Sequence, residues 1–329
     1  MPELRRRRRG WPHGRLRALS VATLFALVTA GCSTPAISAH RSGISSPNAG
    51  AAHASPTTAP AAPAPTTTTT VPEQPGWTPV STGPRGIAVD ERTITAADGN
   101  QITVARFRVG LTRFDLHVGS QDPPTGGASL PPDAGAAISA TESPLLLAAF
   151  NGGFEASSGA GGFLVDGVTL LPLEPGNASF VIDANGTGHV GVWGQDLPAP
   201  GEHVVSVRQN LAPLVVGAQP SPQIADIAAW GATLGGGAVV ARSALGEDAQ
   251  GNILYAGSMA ALPVDLADAL IACGATTAME LDINPEWVQL AMASSPGGPL
   301  STGVPGQNRP ADQYLTGWTR DFVAVLANW

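Results

Sequence analysis

From residue 77 onward the chain is broken into short apolar runs separated by glycine, proline and Asn-Gly or Asp-Gly pairs, and this pattern most limits its fold. Such runs are too short for helices; they suit strands that cross a sheet once and turn. QITVARFRVG (101–110) alternates, RFDLHVG (113–119) follows, and PLLLAAFNGGF (144–154) is nearly continuous and ends in Asn-Gly-Gly. The last reads as a buried strand delivering a tight turn with accessible backbone. Asp166-Gly167 and Asn185-Gly186 are hairpin signals, because the favoured two-residue turn needs positive φ at both central positions. EHVVSVRQN (202–210), GGAVVARSAL (236–245), GNILYAG (251–257) and TTAMELDI (276–283) are further strands. Helical signals are fewer. LPVDLADALIACGA (262–275) is the clearest, with Pro263 near its start, Asp265 in its first turn and Gly274 at its stop. PPDAGAAISATE (131–142) is a second candidate. The pattern predicts a single α+β domain over residues 77–329, with a large mixed β-sheet and a few covering helices.

The residues before 77 read differently. Arg5 to Arg9, Arg15 and Arg17 precede a 13-residue apolar stretch, ALSVATLFALVTA (18–30), and then Gly31-Cys32. A positive segment, a short apolar segment and a small-residue cleavage region make a signal peptide, too short for a comfortable membrane span. The small residues before Cys32 resemble a bacterial lipobox, with Thr29 where leucine is usual. That resemblance implies lipidation of Cys32 as the new N-terminus, after loss of residues 1–31. An ordinary secretory signal with an incidental cysteine is the alternative. Residues 32–76 are rich in Pro, Ala and Thr and nearly uncharged, so they cannot bury enough apolar surface to offset their ordering entropy. They are expected to be a disordered spacer that holds the domain off a membrane on the extracellular face.

Charge narrows the partners. The chain has no lysine, so all 17 basic side chains are arginines. Residues 1–31 hold seven Arg and one Glu, which leaves 10 Arg and 24 acids, a formal charge of −14 beyond the signal. A domain that acidic argues against nucleic acid as a partner. Cys273 is the only cysteine besides Cys32; it falls on the apolar side of the expected helix and reads as a buried structural thiol.

One segment is conspicuous in a chain with only 13% charged residues. ELDINPE places Glu280, Asp282, Asn284 and Glu286 at every second position. In a strand all four would face one side while Met279, Leu281 and Ile283 face the core, and Pro285 would end the ladder. Neighbouring carboxylates resist ionising together, so one cluster could supply both an acid and a base. An exposed strand face with solvated acids is the alternative. The same oxygens could hold Ca²⁺, although the spacing is not that of an EF-hand loop. No zinc spacing appears among His53, His117, His189 and His203, and no obligatory metal or other cofactor is expected.

AFNGGF, GGFLVDG, SVRQNL, WGATL, ARSALGEDAQGNILYAG, LADALIACGATTAMELDIN and RDF occur in that order across residues 149–322. Together they resemble the phosphodiester glycosidase family, the group related to the lysosomal "uncovering" enzyme that removes N-acetylglucosamine from a sugar phosphodiester. The ELDIN form is similar to a branch found in secreted actinobacterial-type proteins. The chain departs from the family in carrying DINPE where many members have Asp-Gly-Gly-Gly-Ser, and Glu155 where a second aromatic is usual.

The resemblance implies a hydrolase acting on a glycosyl phosphodiester in a cell wall or glycan. Such chemistry needs a fixed positive partner for the leaving phosphate and a carboxylate for the oxocarbenium-like centre. Asp282 is the expected nucleophile or charge stabiliser, with Glu280 or Glu286 carrying the proton. Arg242 is the first choice for the phosphate contact and Arg208 the second. Gln209, Asn210 and Asn284 could meet sugar hydroxyls, and Asn151, Gly152 and Gly153 could offer amide and backbone N–H groups to an oxyanion. Each arginine could instead serve a structural ion pair, and the Asn-Gly-Gly turn could be only a turn. Trp287, Arg320 and Asp321 read first as structural. A non-catalytic envelope protein that binds a glycan or phosphodiester polymer in the same pocket is the alternative function.

Overall fold

The computed structural model describes residues 76–124, 130, 134–231 and 236–329. The expected signal, Cys32 and the spacer up to residue 75 lie outside these residues.

The strands, in chain order, are β1 (Thr78–Gly83), β2 (Gly86–Thr95), β3 (Gln101–Phe107), β4 (Thr112–His117), β5 (Leu146–Asn151), β6 (Phe163–Val165), β7 (Val168–Leu171), β8 (Ala178–Asp183) and β9 (Gly188–Val192). They continue with β10 (Val204–Gln209), β11 (Pro213–Val216), β12 (Gln219–Pro220), β13 (Val240–Asp248), β14 (Ile253–Ala261), β15 (Ala275–Glu280), β16 (Leu290–Ala293), β17 (Leu300–Thr302) and β18 (Phe322–Ala327). They form an eight-stranded sheet ordered β1-β2-β3-β14-β13-β15-β11-β12, and two five-stranded sheets ordered β7-β6-β10-β8-β9 and β17-β16-β5-β18-β4.

This corrects the expected fold class. The architecture is predominantly β, with three sheets in place of one, and neighbouring strands pair antiparallel throughout, so the main sheet is not mixed. The single α-helix among the described residues is α1 (Pro263–Ala272). The second expected helix does not form: residues 134–142 are bends and turns, leading into one 3₁₀ turn at Ser143–Leu145. Gly135 interrupts any apolar stripe there, and the Glu142 carboxylate accepts the Ser139 amide at 2.7 Å, a local bond that competes with helix. No described helix is long and apolar enough to cross a membrane.

Local chemistry explains the elements that do form. Asp166 and Gly167 sit at φ 47° and 77°, the pair of positive angles a tight β6–β7 hairpin demands. In α1, Pro263 occupies the first turn and the Asp265 carboxylate accepts the Leu262 amide at 2.7 Å; Gly274, at φ 100°, follows the last turn.

The three sheets meet around one core. Val89, Phe107, Leu245, Tyr255, Met279 and Leu281 come from the large sheet; Phe114, Leu147, Phe150 and Val325 from the second; Phe163, Phe180 and Val190 from the third. Phe107 stacks on Phe150 at 5.6 Å between centroids and meets Phe114 edge-on at 6.1 Å, while Phe114 meets Phe180 edge-on at 5.5 Å, so aromatic contacts link all three sheets. The opposite face of the large sheet packs on Leu266 and Leu270 of α1 through Ile102, Val104, Ala244, Leu254 and Ala278. The period-2 rule holds along β15: Met279 enters the three-sheet core and Ala278 the helix side. Glu280 follows Ala278 to that helix side.

Candidate functional site

Four chain segments converge where the sheets come together: the end of β5 (Asn151), the residues just before β18 (Arg320-Asp321), the end of β10 (Arg208 to Asn210), and the chain leaving β15. Phe322 pairs with Asn151, and the Gly152 amide donates to the Asp321 carbonyl at 2.8 Å, which locks Asn-Gly-Gly against Arg320-Asp321. A side chain at Gly152 would place its Cβ 1.9 Å from Asp321 Oδ2, so this glycine exists to let the carboxylate lie against the turn. Gly153 is nearly as tight, with Arg208 Cζ 2.9 Å from the position of a Cβ. Its amide donates to Asp321 Oδ2 at 3.1 Å, and Arg208 Nε donates to the same oxygen at 2.7 Å. The Gly153 amide thus serves an internal anion, the Asp321 carboxylate, while the Gly152 amide is taken by the Asp321 backbone carbonyl. Both side-chain bonds fall on Oδ2.

The ELDINPE segment does not remain a strand. β15 ends at Glu280, and pairing with β13 persists for one more step: Leu281 N donates to Ser243 O at 2.8 Å and Ser243 N to Asp282 O at 2.9 Å. Asp282 then turns its carboxylate back on its own chain. Oδ1 accepts the Ile283 and Asn284 amides at 2.7 and 2.9 Å, and Asn284 Oδ1 accepts the Glu286 amide at 3.0 Å. These self-made turns beat the strand ladder, as Asp and Asn side chains do where no partner strand continues. The expected row of four is therefore split.

Glu280 is fully buried on the helix side of the sheet, its Oε1 2.6 Å from Arg242 Nη1. Arg242 is fully buried as well and also donates to the carbonyls of Ala261, Trp230 and Ala238. Burial pushes the Glu280 carboxyl upward, with Arg242 opposing it. Glu286 is exposed, 2.8 Å from Arg309, and accepts from Asn308 at 2.9 Å. The acids of the segment thus pair with separate arginines and do not form a common oxygen cage for Ca²⁺. Among the described residues no group of three or more His, Cys, Asp and Glu is placed to hold a metal ion.

Asp282 takes another partner. Its Oδ2 lies 2.9 Å from Arg320 Nη1, and both residues line a small recess. Asn151, Gly152, Gly153, Trp287, Gln289, Gln313, Tyr314, Thr319 and Asp321 complete the wall. The space inside holds about one water molecule. Burial raises Asp282 to about 6; the Arg320 guanidinium and the amides of Asn284 and Ile283 oppose that, and neighbouring Asp321 adds to it.

Two polar groups here are buried without a hydrogen-bond partner: Arg320 Nη2 and Tyr314 Oη. Buried donors are rarely left unpaired, and a guanidinium nitrogen least of all, so these two mark where a ligand oxygen or a water belongs.

The remaining expected residues frame the recess. Asn151 donates to Ser243 Oγ and Gly152 O, both at 2.9 Å, and accepts from Tyr255 Oη at 2.9 Å and the Gln289 amide at 3.1 Å. Its amide is fully engaged, and its role is to tie β5 to β13 and β14. Asn210 donates to the Glu280 and Leu281 carbonyls at 2.9 Å each and accepts the Phe154 amide at 3.0 Å, pinning the strand end that carries Asp282. Gln209 is engaged with Gly162, Glu174 and Ser179. Arg208, besides Asp321, donates to Gln209 O at 2.6 Å and to Phe154 O. Arg242, Arg208, Asn210 and Asn284 line no part of the recess, whereas Asp282, Asn151, Gly152 and Gly153 do. Arg320, Asp321 and Trp287, read first as structural, stand in its wall, together with Tyr314, Gln289, Gln313 and Thr319, which no sequence signal singled out. The RDF segment, an Arg-Asp pair immediately before the last apolar strand and one of the family-like segments, is the signal that could have found the first two.

No family model matches the chain, and no curated protein matches it. Among solved structures, the zebrafish N-acetylglucosamine-1-phosphodiester alpha-N-acetylglucosaminidase catalytic domain, auto-inhibited by its pro-peptide, is similar at 15% identity and a TM-score of 0.47. The match covers 76% of this chain and 87% of that one. A hypothetical protein from Synechocystis is similar at 12% identity and a TM-score of 0.40, over 73% of this chain and 62% of that one.

Proposed function

We propose that the protein is a hydrolase that cleaves a glycosyl phosphodiester, with Arg320, Asp282 and Asp321 at the reacting centre. The observation that carries this reading is Arg320: one nitrogen is fixed on Asp282 and another is buried and unpartnered in the same recess. A guanidinium held in that way is preorganised for an oxyanion and needs no rearrangement when charge develops on the leaving phosphate.

In this reading the phosphate contact passes from Arg242 to Arg320, because Arg242 is enclosed by Glu280 and three carbonyls. Asp282 stabilises positive charge at the anomeric carbon. The bond from that carbon to the phosphate oxygen breaks, and the oxygen leaves with its electron pair as a phosphate monoester on Arg320. Water oxygen supplies the new bond to carbon, and its proton passes to the Asp321 carboxylate. The attachment of the protein to the outer face of a membrane through a lipid on Cys32, and its presentation on the residue 32–76 spacer, belong to the same proposal.

The competing reading is a binding protein for wall glycan or phosphodiester polymer without turnover. A hexose ring does not fit in the space of one water, so under this reading the glycan lies across the mouth of the recess and never enters it. Incubating the protein and Asp282→Asn with a panel of sugar phosphodiesters separates the two. Sugar release by the parent chain that is lost in the variant supports hydrolysis; retention of substrate with no product at any pH supports binding.

A further inference from the structure

The recess admits only the reacting atoms, so the rest of a substrate must lie on the surface at its mouth. Trp287 forms that boundary. Its ring has Arg320 on the recess side at 5.6 Å, while Arg309 lies over it at 5.1 Å and over Trp318 at 4.6 Å. The Trp287 and Trp318 rings are 5.5 Å apart and inclined by 31°. Trp318 is 44% exposed, a large apolar area for an indole on an acidic surface. Beside the rings stand the exposed groups Glu286 and Asn308, hydrogen-bonded to each other, with Glu286 also paired to Arg309. Arg309 Nε further donates to the Glu286 carbonyl at 3.2 Å, and Gln289 Nε2 in the recess wall donates to Pro310 O at 3.0 Å. The patch is thus tied to the wall of the recess through the Gln289–Pro310 bond.

An aromatic platform with a guanidinium over one ring face and a carboxylate and an amide beside it has the chemistry of a saccharide subsite. The exposed side of Trp318 takes the apolar C–H face of a pyranose, and Glu286 and Asn308 both accept from and donate to its hydroxyls. The local charge is balanced by the Glu286–Arg309 pair, which suits a neutral sugar better than an anion. Resting on the hydrolase reading above, we infer that Trp318, with Asn308, Glu286 and Arg309, binds a second, neutral sugar unit outside the recess. The substrate is then an oligosaccharide or polymer that carries the phosphodiester, not a single sugar phosphate.

The test needs no turnover. Isothermal titration and tryptophan fluorescence follow binding of neutral tetrasaccharides of glucose, mannose and N-acetylglucosamine to the protein, to Trp318→Ala and to Asn308→Ala. The expected result is binding of at least one tetrasaccharide with a fluorescence change, weakened about tenfold or more in Trp318→Ala, a loss near 1.4 kcal/mol. Asn308→Ala, a surface change that leaves the rings in place, is expected to weaken the same sugar several-fold. No binding by the parent chain, or equal binding by Trp318→Ala, overturns the inference. Because these assays read binding alone, sugar binding with no phosphodiester cleavage would refute the hydrolase reading and leave the platform standing.

Discussion

Gly152 provides a sharp structural test. Its φ lies in the range open to every residue, so alanine there is not penalised by backbone geometry. The nearest obstacle is Asp321, whose Oδ2 would lie 1.9 Å and whose carbonyl oxygen 2.9 Å from the new Cβ. The carboxylate must move, and it then loses its bonds to Arg208 Nε and Gly153 N. Hydrogen bonds to charged groups contribute about 1.5–3 kcal/mol each, and a buried pair that is broken costs about 3–5 kcal/mol. Gly152→Ala is therefore expected to destabilise the protein by about 3–5 kcal/mol, a large share of the roughly 5–15 kcal/mol that holds a domain together. Urea unfolding followed by tryptophan fluorescence measures this, read from the midpoint at unchanged slope. A second arm isolates the carboxylate's share: in an Asp321→Ala background the same substitution should cost clearly less, since only the contact with the residue 321 carbonyl oxygen at 2.9 Å remains. An unchanged midpoint in Gly152→Ala, or the same cost in both backgrounds, would refute the reasoning.

Other expectations follow from the same geometry. Arg242→Ala strands the buried Glu280 carboxylate and should cost about 3–5 kcal/mol in urea unfolding, whereas replacing both partners by apolar residues should cost less. Asp282 titrates higher in the folded chain, about 6, than its ordinary 3.8, so the folded state binds the extra proton between those values. Stability should therefore fall as pH rises from about 4 to 6, and Asp282→Asn should flatten that slope in pH-dependent unfolding. In a cleavage assay the same ionisation should appear as an acid limb near pH 6. His189 is raised above its usual 6.5, chiefly by its hydrogen bond to Glu247, and links β9 to β13. That contribution is full below 6.5 and is lost as pH rises through the folded value, so His189→Gln should lose stability at pH 5.5 and little at pH 9. Burial pushes the Cys273 thiol up to about 11, and its peptide should resist alkylation in the native protein yet label fully in urea, as read by mass spectrometry.

Much of the fold was legible because period-2 runs and turn pairs report strands directly. The β6–β7 hairpin at Asp166-Gly167, the buried β5 run into Asn-Gly-Gly, and the position of α1 all follow from residues that act locally. The partition into three sheets was not legible, because pairing such as Phe322 with Asn151 joins residues far apart in sequence and leaves no local trace. PPDAGAAISATE misled because small apolar residues fit a helix pattern while Gly135 and the Glu142–Ser139 bond favour turns. ELDINPE was legible as chemistry and misread as geometry. Alternation placed four oxygens on one face, but Asp282 captured its own following amides and ended the alternation. Arg320 and Asp321 were undervalued for a related reason: nothing in Thr-Arg-Asp-Phe shows that β18 will lie beside β5 and bring them against Gly152 and Gly153.

The central claim is that the Arg320 guanidinium meets the phosphate of a glycosyl phosphodiester in the recess beside Asp282. The most direct measurement is release of free sugar from such a substrate by the parent chain and by Arg320→Gln, with circular dichroism to show that both are folded. Removal of one preorganised oxyanion donor costs about 10²–10³ in rate, and a loss of that size or greater with the fold intact is the expected result. Sugar release by folded Arg320→Gln within a few-fold of the parent chain would contradict the account.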